Sequence, residues 1–243
     1  MRYLKEVVLG CGDYAAGGSC SLPFLEQDGA RRRRPLVFGE VTLAPPSDRT
    51  LEEMFSGRAS DPVEWSVMWK EIGADGICLR LKDADPEIAC SVSKAISEKT
   101  RLPLMVDGAA SGDVGDAIDD TVLLLSGCAP RGIHASAVPA GSATSADRAG
   151  SIILVECAYP DREPFDIMSE LRRRALNGDS DCDAPLAADV TSAYPHGGDA
   201  RGASMREGTA ALAAMSCGAD MVIVKGPGAA DMARVYGEEL ADL

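Results

Sequence analysis

The chain is 243 residues long, is 46% hydrophobic and carries a formal net charge of −14. That length suits one large domain or two small ones, and the acidic balance repels nucleic-acid phosphates, which puts nucleic-acid binding outside the expected activities. No segment approaches the uncharged apolar run of ~18 residues needed to cross a membrane.

The start, "MRYLKEVVLGCGD", has no long apolar core and no small-residue cleavage site, so it does not read as a secretion signal. The cysteines, at positions 11, 20, 78, 90, 128, 157, 182 and 217, never fall in a C-x-x-C pair. That spacing argues against zinc or an iron–sulfur cluster held by this chain alone. The expectation is a cytoplasmic protein with free thiols.

In chain order, "EVVLGCGDYAAGGSCSLPF" alternates weakly around Gly-Gly and suits a β-hairpin closing the bottom of a barrel. The basic run "RRRR" (31–34) follows, either a phosphate or acidic-partner contact or a solvated loop tip. The first buried strand is "PLVFGEVTL" (35–43). Next, "DPVEWSVMWKEIGADGICLRL" (61–81) opens on helix-start signals. Asp61 is an N-cap, Pro62 suits the first helical position and Glu64 completes a capping box. Trp65, Met68, Trp69 and Ile72 recur at helical spacing, Gly73 ends the helix, and "GICLRL" has the apolar continuity of a parallel strand covered on both faces.

Further strands are expected in "LPLMVDG" (102–108), "TVLLLSGC" (121–128), "GIHASAVP" (132–139), "SIILVECAYP" (151–160), "APLAADVTSAY" (184–194) and "DMVIVKG" (220–226). Helix-like segments separate most of them. Eight strands alternating with helices in under 250 residues point to the α/β class and a (β/α)8 TIM-type barrel. A doubly wound open sheet is the alternative, weakened because no G-x-G-x-x-G follows the first strand. The spacing leaves no room for a helix between 121–128 and 132–139. The segment "AGSATSADRAGS" (140–151) is a poor helix too, so one or two covering helices are expected to be trimmed or lost. Strand faces bared in this way call for a partner subunit or self-association. The expected organisation is a hairpin and basic loop over 1–34, then one barrel over 35–243.

The helix–strand unit recurs as "GTAALAAMSCGADMVIVKG" (208–226), and both copies pass through Gly-Ala-Asp to a cation, Arg80 in the first and Lys225 in the second. If Ile77, Leu79 and Leu81 pack under helices, then Cys78 and Arg80 point into the barrel. Parity places Glu40, Asp107 and Lys225 with Arg80 at the C-terminal mouth, where barrel proteins build their sites, and His134 in the fifth strand, Glu156 at the end of the sixth and Asp189 in the seventh add polar groups converging there. "GPGAADMARVYG" adds a glycine-rich turn into a helix, so Gly226 and Gly228 are candidates to bind an anion through exposed N–H groups. No nucleophile–His–acid spacing stands out, and no catalytic residue or metal ligand is assigned. Arg80 and Lys225 read equally well as structural ion pairs.

The run 61–81, a D-P-V-x-W helix leading to G-A-D-x-I-C-L-R-L, resembles the small (delta) subunit of the corrinoid/iron–sulfur protein of the acetyl-CoA decarbonylase/synthase complex. "GGSCSLPFLEQDG" is similar to that family's hairpin, with Ser19 where the family has Glu. "RPLVFGEVTLAPP", "MSELRRRALNGD" and "AAMSCGADMVIVKGPGAADM" are similar to its first strand, a late helix and its eighth helix–strand unit. "VECAYPDREPF" replaces the family's glycine-rich loop after the sixth strand. The resemblance implies a barrel related to pterin-binding methyltransferases, paired with a larger subunit that carries the iron–sulfur cluster, with a corrinoid (cobalamin-type) cofactor at their junction. The pair would pass a methyl group between a tetrahydropterin and the acetyl-CoA-forming centre, in the one-carbon metabolism of methanogenesis. Two other functions fit the residues themselves. One is an independent pterin- or anion-binding barrel using Asp107, Asp189, Arg80 and Lys225. The other is a structural subunit whose mouth charges are spent on ion pairs.

Overall fold

The computed structural model describes residues 3–10, 14–22, 33–108, 110–118, 122–125, 133–137, 152–195 and 199–242. Eight parallel strands close into a barrel. They are β3 (Leu36–Thr42), β4 (Gly76–Lys82), β5 (Leu104–Gly108), β6 (Val122–Leu125), β7 (Ile133–Ala137), β8 (Ile152–Glu156), β9 (Leu186–Asp189) and β10 (Met221–Val224). Each pairs with the next in sequence, and β10 closes on β3 with Val222 opposite Val37. The antiparallel pair β1 (Glu6–Leu9) and β2 (Tyr14–Gly17) forms the expected hairpin. Around the barrel lie α1 (Arg49–Met54), α2 (Pro62–Ile72), α3 (Pro86–Thr100), α4 (Ser111–Ala117), α5 (Glu163–Leu176), α6 (Ala200–Ser216) and α7 (Pro227–Asp242). The segment 140–151, where helix loss is expected, lies outside the described residues, as do Arg31, Arg32 and His196.

Strand parity divides the core in two. Phe38, Cys78, Met105, Leu154, Ala187 and Ile223 share the barrel interior. Val37, Ile77, Leu79, Val106, Ile153 and Val222 face outward under the helices. Val7, Leu9 and Ala16 of the hairpin belong to the interior cluster, and Lys5 N–H donates to the Asp183 carbonyl at 2.9 Å. The hairpin therefore stoppers the N-terminal end of the barrel.

α2 shows why this sequence closes so tightly. Asp61 accepts from the N–H groups of Val63 (2.7 Å) and Glu64 (3.1 Å), and Gly73 ends the helix at φ +94°. The capping box is only half made. Glu64 turns to Arg58 (3.2 Å) and Lys99 (3.0 Å), two cations with a stronger claim than one backbone N–H. Trp69 packs onto Gly39 of β3, where a Cβ would stand 2.1 Å from the indole Cδ2. Its Nε1–H donates to the Glu40 carbonyl at 3.0 Å. Phe55, just after α1, meets both tryptophans edge-on, with ring centroids at 5.5 and 5.0 Å.

The two Gly-Ala-Asp turns share a structural task. Asp75 accepts the Val37 N–H at 2.8 Å and a bidentate pair from Arg34 at 2.9 and 2.5 Å. Asp220 accepts the Leu186 N–H at 2.8 Å and Arg172 Nη2 at 2.5 Å. Each carboxylate thus pins the entry of the neighbouring strand and is neutralised by an arginine.

The expected strand 184–194 is shorter than its apolar run. One oxygen of Asp189 accepts both the N–H (3.1 Å) and the hydroxyl (2.7 Å) of Thr191, and the chain turns there into a short 3-10 segment, Thr191–Ala193.

Candidate functional site

Interior parity continues upward from the apolar layers. Above Phe38, Cys78, Met105, Ala187 and Ile223 come Glu40, Arg80, Asp107, Asp189 and Lys225, each two residues further on. The alternation that buries the barrel core therefore delivers five charged side chains to its C-terminal mouth.

Arg80 is the hub. Its Nε donates to Glu40 Oε1 at 3.1 Å, its Nη1 to Asp107 Oδ2 at 2.8 Å, and its Nη2 to Asp189 Oδ2. The side chain is only 17% exposed. Burial alone would lower its pKa, but the surrounding negative charge, with Asp189 and Glu40 the foremost carboxylates, raises it instead. Lys225 Nζ lies 3.4 Å from Glu40 Oε2, a long and weak contact. Asp107 is the most open of the three carboxylates, its side chain 35% exposed, and among the described residues it engages only Arg80.

Other expected site residues are placed differently. Glu156 ends β8 in register with Asp189 but is exposed, and no ion pair joins it to Arg80. His134 lies on β7 in register with Leu124. The N–H of Gly226, expected to be free for an anion, already donates to Glu207 Oε2 at 2.8 Å, and the Lys225 N–H donates to Oε1 at 2.6 Å. Pro227 supplies no N–H, and a Cβ on Gly228 would stand 2.9 Å from Ser204 Oγ of α6. An internal carboxylate thus occupies the turn intended for an external anion. Glycine is needed at 226 because a Cβ there would meet Tyr194 at 2.8 Å.

Glu207 escaped notice in the sequence because it sits one residue before the apolar run "GTAALAAM" on what reads as an ordinary helix face. It is fully buried, and that burial, working against its two N–H partners, pushes its pKa up to about 8. Its only sequence signal is a carboxylate on the apolar-rich side of α6.

Beside the charged cluster a cavity of about 530 Å³ opens between the β3–α1 and β4–α3 loops. Glu40, Arg80 and Lys225 form a polar floor, Leu43, Pro45, Pro46 and Leu51 an apolar wall, and Trp65, Tyr194 and the charged Asp48, Lys82 and Asp83 are also in its lining. The β3–α1 loop that makes this wall is "LAPPSD". Its prolines and the cap of α1, where Asp48 accepts the Thr50 N–H at 2.9 Å, hold it over the mouth. The volume suits a ligand of drug-like size.

No family model matches the sequence. No curated protein matches it either. Among solved structures, the chain resembles dihydropteroate synthase from Xanthomonas albilineans in complex with 7,8-dihydropteroate, with a TM-score of 0.55 and 15% identity over 86% of this chain and 95% of that one. The likeness is one of fold: the (β/α)8 barrel. Among the described residues no helix is long and apolar enough to cross a membrane.

Proposed function

We propose that this chain binds a pterin-class ligand at its barrel mouth, as the non-catalytic barrel subunit of a corrinoid-dependent methyl-transfer system. The observation that carries the reading is the cavity of about 530 Å³ with Glu40, Arg80 and Lys225 on its floor. A pteridine presents N–H donors beside a carbonyl acceptor on one edge of a flat ring. Carboxylates and an ammonium complement that edge, and the Leu43–Pro46 wall complements the ring face.

The tied-down charges support binding rather than independent catalysis. Arg80 commits each of its three guanidinium nitrogens to a carboxylate, and Asp189 has both oxygens engaged. Such a floor is rigid and preorganised, and none of its described groups is poised as a nucleophile. A corrinoid, if shared with a larger iron–sulfur subunit, would supply the methyl-accepting cobalt. This chain's residues would hold the pterin, keep its polar edge dry and present one face to the partner.

Calorimetric titration with 7,8-dihydropteroate and with a methyl-tetrahydropterin tests ligand binding, and anaerobic pull-down with metal analysis tests the subunit role. Saturable 1:1 binding together with co-purified cobalt and iron is the expected result. Pterin binding without a partner leaves an independent pterin-binding barrel, and absence of any pterin binding overturns the reading.

A further inference from the structure

A second, much smaller cavity lies at the opposite end of the barrel. It holds about 40 Å³ and is lined by Ser19 and Ser21 after the hairpin, Arg33 before β3, Arg172 of α5, and Gly218 and Asp220 before β10. Three polar atoms of these residues are buried without a hydrogen-bond partner among the described residues: Ser21 Oγ, Arg33 Nε and Arg172 Nη1.

Each arginine is anchored by a carboxylate, Arg172 in the deeply buried wall and Arg33 at a more open edge, its side chain 28% exposed. Arg172, 2% exposed, gives Nη2 to Asp220 (2.5 Å) and to the Gly218 carbonyl (2.7 Å), and Nε to that carbonyl at 3.1 Å. Arg33 gives Nη2 to Glu6 at 2.7 Å. Each charge is therefore held on one side and has a bare N–H on the other. Guanidinium nitrogens can only donate, and a serine hydroxyl turns to donate when it must. Donors left unmade in a buried site are costly, and the group that answers two guanidinium N–H bonds and a hydroxyl best is an anion. A single water needs roughly 10–15 Å³ of such space, so the cavity accommodates something larger. It remains far too small for an organic ligand.

We propose that this floor cavity binds one small inorganic anion. The ion joins the segment leaving the hairpin (Ser21) and the lead-in to β3 (Arg33) to α5 (Arg172), and so staples the stopper to the barrel. The inference is independent of the mouth and of the function proposed for it.

Thermal unfolding of the full chain is followed in sodium phosphate and in sodium chloride, with ionic strength matched by sodium acetate, alongside calorimetric titration of inorganic phosphate into the native protein. The expected result is saturable binding at one site and a melting temperature that rises by about 5 °C or more at a hundredfold excess over Kd. Ser21→Ala and Arg33→Gln are expected to lose at least tenfold in affinity, while Lys225→Met at the other end retains the response. A melting temperature that follows ionic strength alone, with no calorimetric saturation in the unsubstituted chain, overturns the proposal and assigns the cavity to water. An equal response in Ser21→Ala and Arg33→Gln overturns it as well, by placing the ion elsewhere.

Discussion

Asp75 and Asp220, which hold the same place in the two Gly-Ala-Asp turns, each accept a strand-entry N–H at 2.8 Å and each pair with an arginine from outside the repeat. They fasten the strands outside the mouth cluster, and they differ in how deeply the paired arginine is buried. The Arg34 side chain is 30% exposed, whereas Arg172 is 2% exposed.

That difference sets the cost of breaking each pair. Asp75→Ala is expected to destabilise by about 2–3 kcal/mol, because Arg34 can turn to water, and Asp220→Ala by about 3–5 kcal/mol, because Arg172 cannot. Chemical denaturation of both variants measures the order. Equal losses, or the reverse order, would contradict the burial argument.

Arg80 holds three carboxylates together, so its removal leaves three acids facing one another around a single weakly engaged lysine. Arg80→Met is expected to cost about 3–5 kcal/mol. Arg80→Lys recovers only part of the loss, since an ammonium cannot reproduce the planar fork. Urea midpoints of the two variants at neutral pH test both statements.

Glu207 gives the protein a specific pH dependence. Its folded pKa, about 8, lies above the ordinary 4.5, so its contribution to stability is fully present below about pH 4.5 and is lost as pH rises through about 8. Between those limits this one group lowers stability by at most about 1.4 kcal/mol per pH unit. Glu207→Gln is expected to flatten the profile between pH 5 and 8, whatever its absolute height. Melting temperatures of both proteins across that range measure the slope, and parallel profiles would refute the assignment.

Lys225 is a mouth cation with only a weak internal tie, 3.4 Å from Glu40. Lys225→Met is therefore expected to weaken pterin binding about tenfold, or ~1.4 kcal/mol, while changing stability by less than about 1 kcal/mol. Calorimetry and melting on the same preparation separate the two effects. A large stability loss with unchanged affinity would make Lys225 a structural residue.

Much of this architecture was legible in the chain. The helix start at Asp61-Pro62, the tryptophan stripe of α2, the eight strands and the hairpin follow from local chemistry: caps, helical spacing and uninterrupted apolar runs. Parity sufficed to line up Glu40, Arg80, Asp107 and Lys225, because a strand inside a barrel offers a side chain only two directions. Strand ends were less legible. Asp189 looks like the middle of an apolar strand until its carboxylate captures Thr191 and turns the chain.

Three matters were decided by tertiary structure alone. The Gly226 turn faces a buried Glu207 from a different helix, and no local pattern reveals which carboxylate will claim an N–H eighteen or nineteen residues away. The cavity wall comes from the β3–α1 loop, whose path over the mouth depends on α1 docking through Phe55 against Trp65 and Trp69. The bare donors of Arg33 and Arg172 share one cavity only because the hairpin stopper and α5 meet beneath the barrel. The sequence by itself determined what depends on period and neighbour: the elements, their order and which side chains enter the barrel. Contacts between groups far apart in the chain depend on closure of the whole sheet, and only the folded barrel fixes them.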